Sequence, residues 1–486
     1  MESREPRQEA RGVVPTLVLV TMVTAMVSSL GAPLVPQIAE DRGVSIGTAQ
    51  LSLTAALVVG AIASPLLGRW GADRRRRSVL LAGLALVCTG CLVAALPLGF
   101  GPLLAGRSLQ GIGLALNPLA FSAVRALVSE DRAPRVIAGL AAVTVAGGGM
   151  GYLLTGLVGR FGGLSACFYV GLALALVTAI LVAVVLPRDH RGAGMAHADH
   201  ELVDWWGAFV LAVGTALVLL ALSMGSSWGW GSWTTCCCAS VGAIALTLWV
   251  RRSFRVPNPL VDLRLARSEG PLGAHLSAFT VGTGMYVLVT TMMIVVQAPT
   301  DTEYGLGASV AVAGAMFTSY AMASILGSQL VLWLAERMPP DGVLAVGCVM
   351  LVAGAVSIGA FHDRVWQVAI SMAIVGLGGG CTFSAMPGII VRAVPQEETS
   401  SSIAFNLVLR YLGFATGSAL ATAILETVSS AGTITSVGVR AAFGAAASIW
   451  VGAALITLVL VRRAAGNKAS RPAVVGEGQA GQNLGL

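Results

Sequence analysis

The residues of this chain with the most chemical potential are two arginines in places where arginine is costly. Arg107 lies in the apolar run 101–128 with Gln110, Leu114 and Asn117, at spacings that put all four on one helical stripe. Arg410 lies in the run 399–428, one turn from Asn406 and about 16 Å of helical rise from the start of that run. A charge at the bilayer centre costs about 2.5–3.5 kcal/mol on insertion scales, so a guanidinium there must face a protein interior or a cavity. Arg107 is only about 8 Å of rise from the end of its run and could snorkel to the interface. Its polar stripe continues inward, however, which favours a seam between helices. Arg410 is too deep to snorkel. Its donors need Asn406, backbone carbonyls, water or an anionic group on a substrate, or else it is a fixed structural link in the second half.

Other chemistry is sparse. Of the 23 acidic residues none falls deep in an apolar run; Glu426 sits near the end of its run and Asp301 in a loop. His275 lies near one end of a run and His362 in a loop. There is no His-Glu-x-x-His, no paired intramembrane aspartate and no Gly-Lys-Ser/Thr nucleotide loop, so nothing points to an enzyme, a cofactor or a metal. The cysteines, including the Cys88/Cys91 pair, fall in apolar runs, where a thiol acts as a small hydrophobe.

The elements that must hold these groups are membrane helices. The 486 residues are 56% hydrophobic and only 11% charged, about half the charge of a soluble protein. The mean hydropathy is +0.82. Apolar runs of about 20 residues predict fourteen transmembrane helices at 13–36, 48–69, 78–99, 101–128, 134–159, 164–187, 204–223, 231–251, 271–298, 308–335, 341–361, 364–394, 399–428 and 440–463. The first run is too long for a cleavable signal and is read as an anchor. With the N-terminus inside, 24 Lys and Arg fall in inner segments and four in outer loops, which puts both termini in the cytoplasm. The net charge of +7 is thus topological and does not indicate nucleic acid. Tryptophans 228, 230 and 233 at one helix end, and 205 and 206 at another, are placed as interfacial anchors.

The chain repeats itself. RALVSED (Arg125 to Asp131) is echoed by RAVPQEE (Arg392 to Glu398), Gly111 and Gly113 by Gly376 and Gly378, and ADRRRRSVLLAG by AERMPPDGVLAVG, at offsets of 263 to 267. This predicts a duplicated six-helix unit in parallel orientation, the architecture of an alternating-access carrier. The expected division is a cytoplasmic N-terminus (1–12), a six-helix bundle (13–187), linkers with two inserted helices (188–270), a second bundle (271–463) and a disordered cytoplasmic tail (464–486). Charges at the inner ends could pair across the two halves when the inner mouth closes: Asp73, Arg74, Arg125, Glu130, Asp131, Glu336, Arg337, Arg392, Glu397 and Glu398. The alternative is that most of them only enforce topology.

Over nearly its whole length the chain resembles the major facilitator superfamily, specifically its fourteen-helix drug:proton antiporter branch. The resemblance rests on Arg107-x-x-Gln110-Gly111-x-Gly113, on GRWGADRRRR with Asp73 and Arg74, and on VDWWGAFVL, PNPLVDLRL and NLVLRYLG. It departs from the family in two places. Val27 stands where a helix 1 aspartate is usual, and the helix 5 antiporter motif keeps Gly147 and Gly151 but has Gly148 for its proline and Tyr152 for its last glycine. The resemblance implies an all-α polytopic protein of two pseudo-symmetric six-helix bundles plus two inserted helices. It also implies that the first, fourth, ninth and twelfth helices line a cavity, with Ser28, Ser29, Arg107, Asn117, Tyr286, Thr290, Thr382 and Phe383 among its residues. The function implied is export of a small amphipathic compound (drug, antibiotic or metabolite) across the cytoplasmic membrane, coupled to protons through Glu426 or Asp301. Import or facilitated passage is the alternative, and a monomer in the lipid bilayer with no cofactor is expected.

Overall fold

The computed structural model describes residues 12–30, 35–44, 46–70, 75–129, 131–187, 204–257, 259–395, 398–428 and 434–469. Every regular element among them is a helix, as lipid demands of a backbone that must satisfy its own polar groups. The first half comprises α1 (Val13–Ser29), α2 (Val35–Arg42), α3 (Ile46–Trp70), α4 (Arg76–Ala95), α5 (Phe100–Leu127) and α6 (Ala133–Val185). Next come α7 (Trp205–Trp228), α8 (Trp233–Ser253) and the single turn α9 (Leu263–Ala266). The second half comprises α10 (Glu269–Gln297), α11 (Val310–Ala335), α12 (Pro340–Ala360), α13 (Val365–Ala393), α14 (Thr399–Thr427) and α15 (Ser436–Ala469).

Element α6 is two helices that meet at Gly163, whose φ of 63° and ψ of −161° only glycine adopts readily. Twelve helical segments are long and apolar enough to cross a membrane. Two more pack among them: α1, with 17 residues, and α5, whose 28 residues are diluted by Arg107, Gln110 and Asn117.

The first expected span, 13–36, is shorter than the sequence suggests. α1 ends at Ser29 and a separate helix begins at Val35. The intervening sequence carries Gly31 and Pro33, both poor residues for a helix interior.

Packing repeats between the halves. In the first, α1 packs on α5 and α6, α5 on α3 and α4, and α4 on α6. In the second, α10 packs on α13, α14 and α15, α13 on α11 and α12, and α12 on α15. The halves meet through α3 against α14 and through α6 against α11, and each of these contacts is the mirror of the other under the repeat.

Glycine permits the closest approaches. A methyl added at Gly111 would overlap the Ala56 carbonyl oxygen of α3, and one at Gly376 would overlap the Tyr320 carbonyl oxygen of α11. These two glycines belong to the sequence repeat, so the repeat encodes a backbone contact.

The inserted hairpin is held differently. Asp204 caps α7 by accepting the Gly207 N–H at 2.8 Å, and the Arg252 guanidinium of α8 donates to the same carboxylate at 2.8 and 3.1 Å. α7 lies against both α3 and α14, whereas most of α8 faces outward. Tryptophans 205, 206 and 233 are more than half exposed at the ends of these helices.

Gly111→Ala and Gly376→Ala should each force two backbones apart and cost about 1–3 kcal/mol, as overpacking does. Thermal unfolding of the purified chain in detergent checks this, and an unchanged melting temperature in both variants would contradict the close contact.

Candidate substrate cavity and closing contact

The two buried arginines behave oppositely. Arg107, 1% exposed, reaches from α5 to the end of α1 and to α3. Its Nη1 donates to the Val27 carbonyl at 3.1 Å and to Gln110 Oε1 at 2.5 Å; Nη2 donates to the Ser28 carbonyl at 2.6 Å and Nε to the Ser52 carbonyl at 3.3 Å. Val27 and Ser28 lie in the last turn of α1, where the Val27 carbonyl shares the Leu30 N–H with the Met26 carbonyl and the helix dipole presents negative charge. The guanidinium therefore completes the end of a helix that stops early. The Phe168 ring stands 5.8 Å from its Cζ.

Between the halves lies a cavity of about 300 Å³, at the small end of the range for ligand sites (about 300–1,000 Å³). Of the sequence-predicted residues, it brings together Ser28, Ser29, Tyr286, Phe383 and Arg410. Arg107, Gln110 and Asn117 are buried in a seam between helices and do not line the cavity, whereas the resemblance implied that Arg107 and Asn117 would. Their stripe on α5 turns toward α1 and α3, where Thr24 Oγ1 lies 3.4 Å from Asn117 Oδ1. Thr382 is also outside, donating to the Gly378 and Gly379 carbonyls of its own helix at 3.0 and 3.1 Å. Thr290 is one contact removed, 3.5 Å from Ser418, which does line the cavity. Asn406 is outside as well, between Arg410 and α10: its Nδ2 donates to the Ala274 carbonyl at 3.0 Å and lies 3.4 Å from His275 Nδ1.

The expectation that four helices supply the lining also changes. α5 contributes Leu114 and α13 contributes Phe383, while α3, α6, α14 and the inserted α7 contribute more. The glycine contacts and arginine bonds press α5 and α13 into their own halves, and the elements at the seam form the walls. α7 adds Leu219, Leu222 and Ser223.

The cavity's aromatic character was not visible beforehand. Tyr152 stacks on Phe317 with ring centroids 4.5 Å apart, and Tyr286 on Phe414 at 4.3 Å. Tyr320 and Tyr411 complete the set. They are scattered over α6, α10, α11 and α14, and nothing in their sequence spacing joins them.

One signal could have been found. Gly413 and Gly417 of α14 repeat Gly147 and Gly151 of α6 at an offset of 266. Methyls at Gly147 and Gly151 would stand 2.6 and 2.5 Å from the Met22 and Met26 carbonyls of α1, and Gly413 and Gly417 press on Phe279 and Thr283 of α10 in the same way.

At the end of the bundle where α5 stops, Arg125 crosses to the other half. It donates to the Val394 carbonyl at 3.2 Å, to the Pro395 carbonyl at 3.4 Å and to Thr399 Oγ1. Val394 is the C-cap of α13, so the guanidinium meets carbonyls at a helix end, where the helix dipole presents negative charge. Asp131, Glu336 and Arg392 are exposed; Arg337 donates to the Trp333 carbonyl at 2.9 Å and stacks on its ring, and Glu398 accepts from Ser401 Oγ at 2.6 Å. Asp73, Arg74, Glu130 and Glu397 lie outside the described residues. Glu426 and Asp301 are exposed and away from the cavity lining.

The family model described as "Major Facilitator Superfamily" matches the chain twice, over residues 17–293 and 274–479. The chain belongs to the major facilitator superfamily. It is 25% identical over 406 residues to the multidrug resistance protein B homolog of Mycobacterium tuberculosis, covering 79% of this chain and 70% of that protein. It is 25% identical over 357 residues to the methylenomycin A resistance protein of Bacillus subtilis, covering 72% and 73%. With the uridine/deoxyuridine transporter of Lactococcus lactis the figures are 25% over 333 residues, 66% and 68%. Among solved structures, the human organic anion transporter MFSD10 superposes with a TM-score of 0.63 at 16% identity, covering 93% of this chain and 100% of that one. The proton:xylose symporter XylE superposes with a TM-score of 0.64 at 14% identity, covering 93% and 95%. This facilitator is thus a multi-pass membrane carrier for small molecules, not an enzyme.

Arg107→Gln should strand the Ser28 carbonyl and take a second donor from those of Val27 and Ser52, a loss of about 1–3 kcal/mol or more, whereas Arg410→Gln should melt within a few degrees of wild type. Equal melting temperatures for both variants would contradict the division between a structural and a cavity-facing arginine. Arg125→Ala should speed maleimide labelling of Ser400→Cys, a position 1% exposed at the same end, at least threefold over the unmodified background. An unchanged rate would remove Arg125 from the closing contact.

Proposed function

We propose that this facilitator exports a small amphipathic organic compound across the cytoplasmic membrane by alternating access. The observation that carries this is the cavity: it lies between two halves of like packing, is walled by aromatic and aliphatic side chains, and holds few polar groups, as sites for amphipathic molecules do. In this reading 13–187 and 271–463 rock about the cavity, 188–270 carries the inserted helices, and Arg125 holds the inner mouth shut. The excess of basic residues at one set of helix ends supports cytoplasmic termini. The resistance proteins among the relatives support export of a drug or antibiotic and membership of the fourteen-helix efflux branch.

Proton coupling belongs to the same reading, but no carboxylate or histidine lines the cavity among the described residues. The driving proton would be taken up outside the lining, by exposed Glu426 or Asp301, or by His275, which meets the cavity arginine through Asn406. The same observation favours the second reading, a facilitator or importer that needs no coupling ion.

Cells producing the chain should accumulate less of an exported fluorescent drug than cells without it, and accumulation equal to or above the control would reject export. A protonophore added with ATP held constant should abolish the difference, and an undiminished difference would reject proton coupling.

A further inference from the structure

Among the described residues two guanidiniums are buried, and only one has its donors met by the protein. Arg107 meets four oxygen acceptors at 2.5 to 3.3 Å. Arg410, 8% exposed and part of the cavity wall, meets one: Asn406 Oδ1, at the long distance of 3.4 Å. Its other polar neighbour is the Met386 sulfur at 4.0 Å, a weak acceptor, and its Nε has no partner among the described residues. Guanidinium carries five N–H donors and no acceptor, and a charged group out of bulk water needs those donors met.

The surroundings decide what can meet them. Phe383 lies under the guanidinium plane, 4.3 Å from ring centroid to Cζ, and takes up one face. The donors point from the edge of the plane, where a planar, two-oxygen anion matches their fork. Among the described residues the cavity wall contains no Asp or Glu to answer the charge internally. Nor do they include a second Arg or a Lys there, so the positive field of the described wall has one source. The phenols of Tyr152, Tyr286, Tyr320 and Tyr411 share the cavity, and none has a hydrogen-bond partner among the described residues. Two of them stack on phenylalanines, which leaves flat walls suited to an aromatic frame.

We propose that the substrate is an aromatic molecule bearing a carboxylate, and that Arg410 receives the carboxylate while the tyrosine and phenylalanine walls hold the ring. This rests on the cavity being the substrate site but not on the direction of transport. A permanent cation would face an uncompensated like charge and no acid to offset it, so the cavity selects against cationic drugs.

The test is equilibrium binding to the full chain in lipid nanodiscs, using three tritiated probes of one shape: 2-naphthoate, its neutral amide, and the cationic 2-naphthylmethylamine. The carboxylate should bind at least tenfold more tightly than the amide, and the cation more weakly than either. Arg410→Gln should erase the preference for carboxylate over amide while changing amide affinity less than threefold. Comparable affinity for all three probes, tightest binding of the cation, or binding of none by wild type would overturn the proposal. So would a carboxylate preference that survives Arg410→Gln. The wild-type series is decisive even if that variant does not fold. Binding is blind to direction, so a chain that prefers the carboxylate yet fails to lower drug accumulation loses export and keeps this inference. A chain that exports a cationic dye and shows no carboxylate preference does the reverse.

Discussion

A helix that ends inside a packed bundle leaves carbonyls short of donors, and the first half of this protein is built around meeting that demand. α1 stops after 17 residues, at Ser29, and the guanidinium of Arg107 takes the Val27 and Ser28 carbonyls while also holding Ser52 of α3. Three helices are thereby fixed relative to one another by one side chain. The cost of burying its charge is offset because most of its donors find oxygen and the helix end it meets is itself negative. Gln110, one turn along α5, supplies the remaining acceptor and keeps the guanidinium oriented.

The two halves share a packing scheme but not their charges. In the register of the glycines, Arg107 corresponds to Met372 of α13, and Arg410 corresponds to Thr144 of α6. Each half therefore carries one guanidinium that the other lacks. In the first half it works as structural cement; in the second it is turned to the shared cavity, with Thr144 on the opposite wall. Duplication alone would produce a cavity with matched walls. The substitutions at these two pairs give it a positive side and a neutral side.

The inserted helices enter the same balance. α7 rests on α3 and α14, the pair that joins the halves on that side, and extends the cavity wall with Leu219 and Leu222. Among the described residues no inserted helix packs in the same way on the α6–α11 contact. At the end where α5 stops, the guanidinium of Arg125 bridges the halves through backbone carbonyls.

What the sequence alone determined was whatever the membrane imposes locally. Apolar runs placed the helices, and the repeat at offsets of 263 to 267 paired the halves. Gly111, Gly113 and their echoes marked close contacts because only a missing side chain permits them. The early stop of α1 was written in Gly31 and Pro33, though the length of the run concealed it. Tertiary structure decided which way each polar stripe turns. Arg107 and Arg410 are alike in a sequence, each a charge in an apolar run with an amide one turn away. One finds a helix end within reach and the other a cavity, a difference set by neighbours 55 to 80 residues distant in the first case and by an open space in the second. The aromatic walls were likewise illegible, since Tyr152, Tyr286, Tyr320 and Tyr411 meet only after four helices have packed. Local periodicity encodes which face of a helix is buried; it carries no information about what that face is buried against.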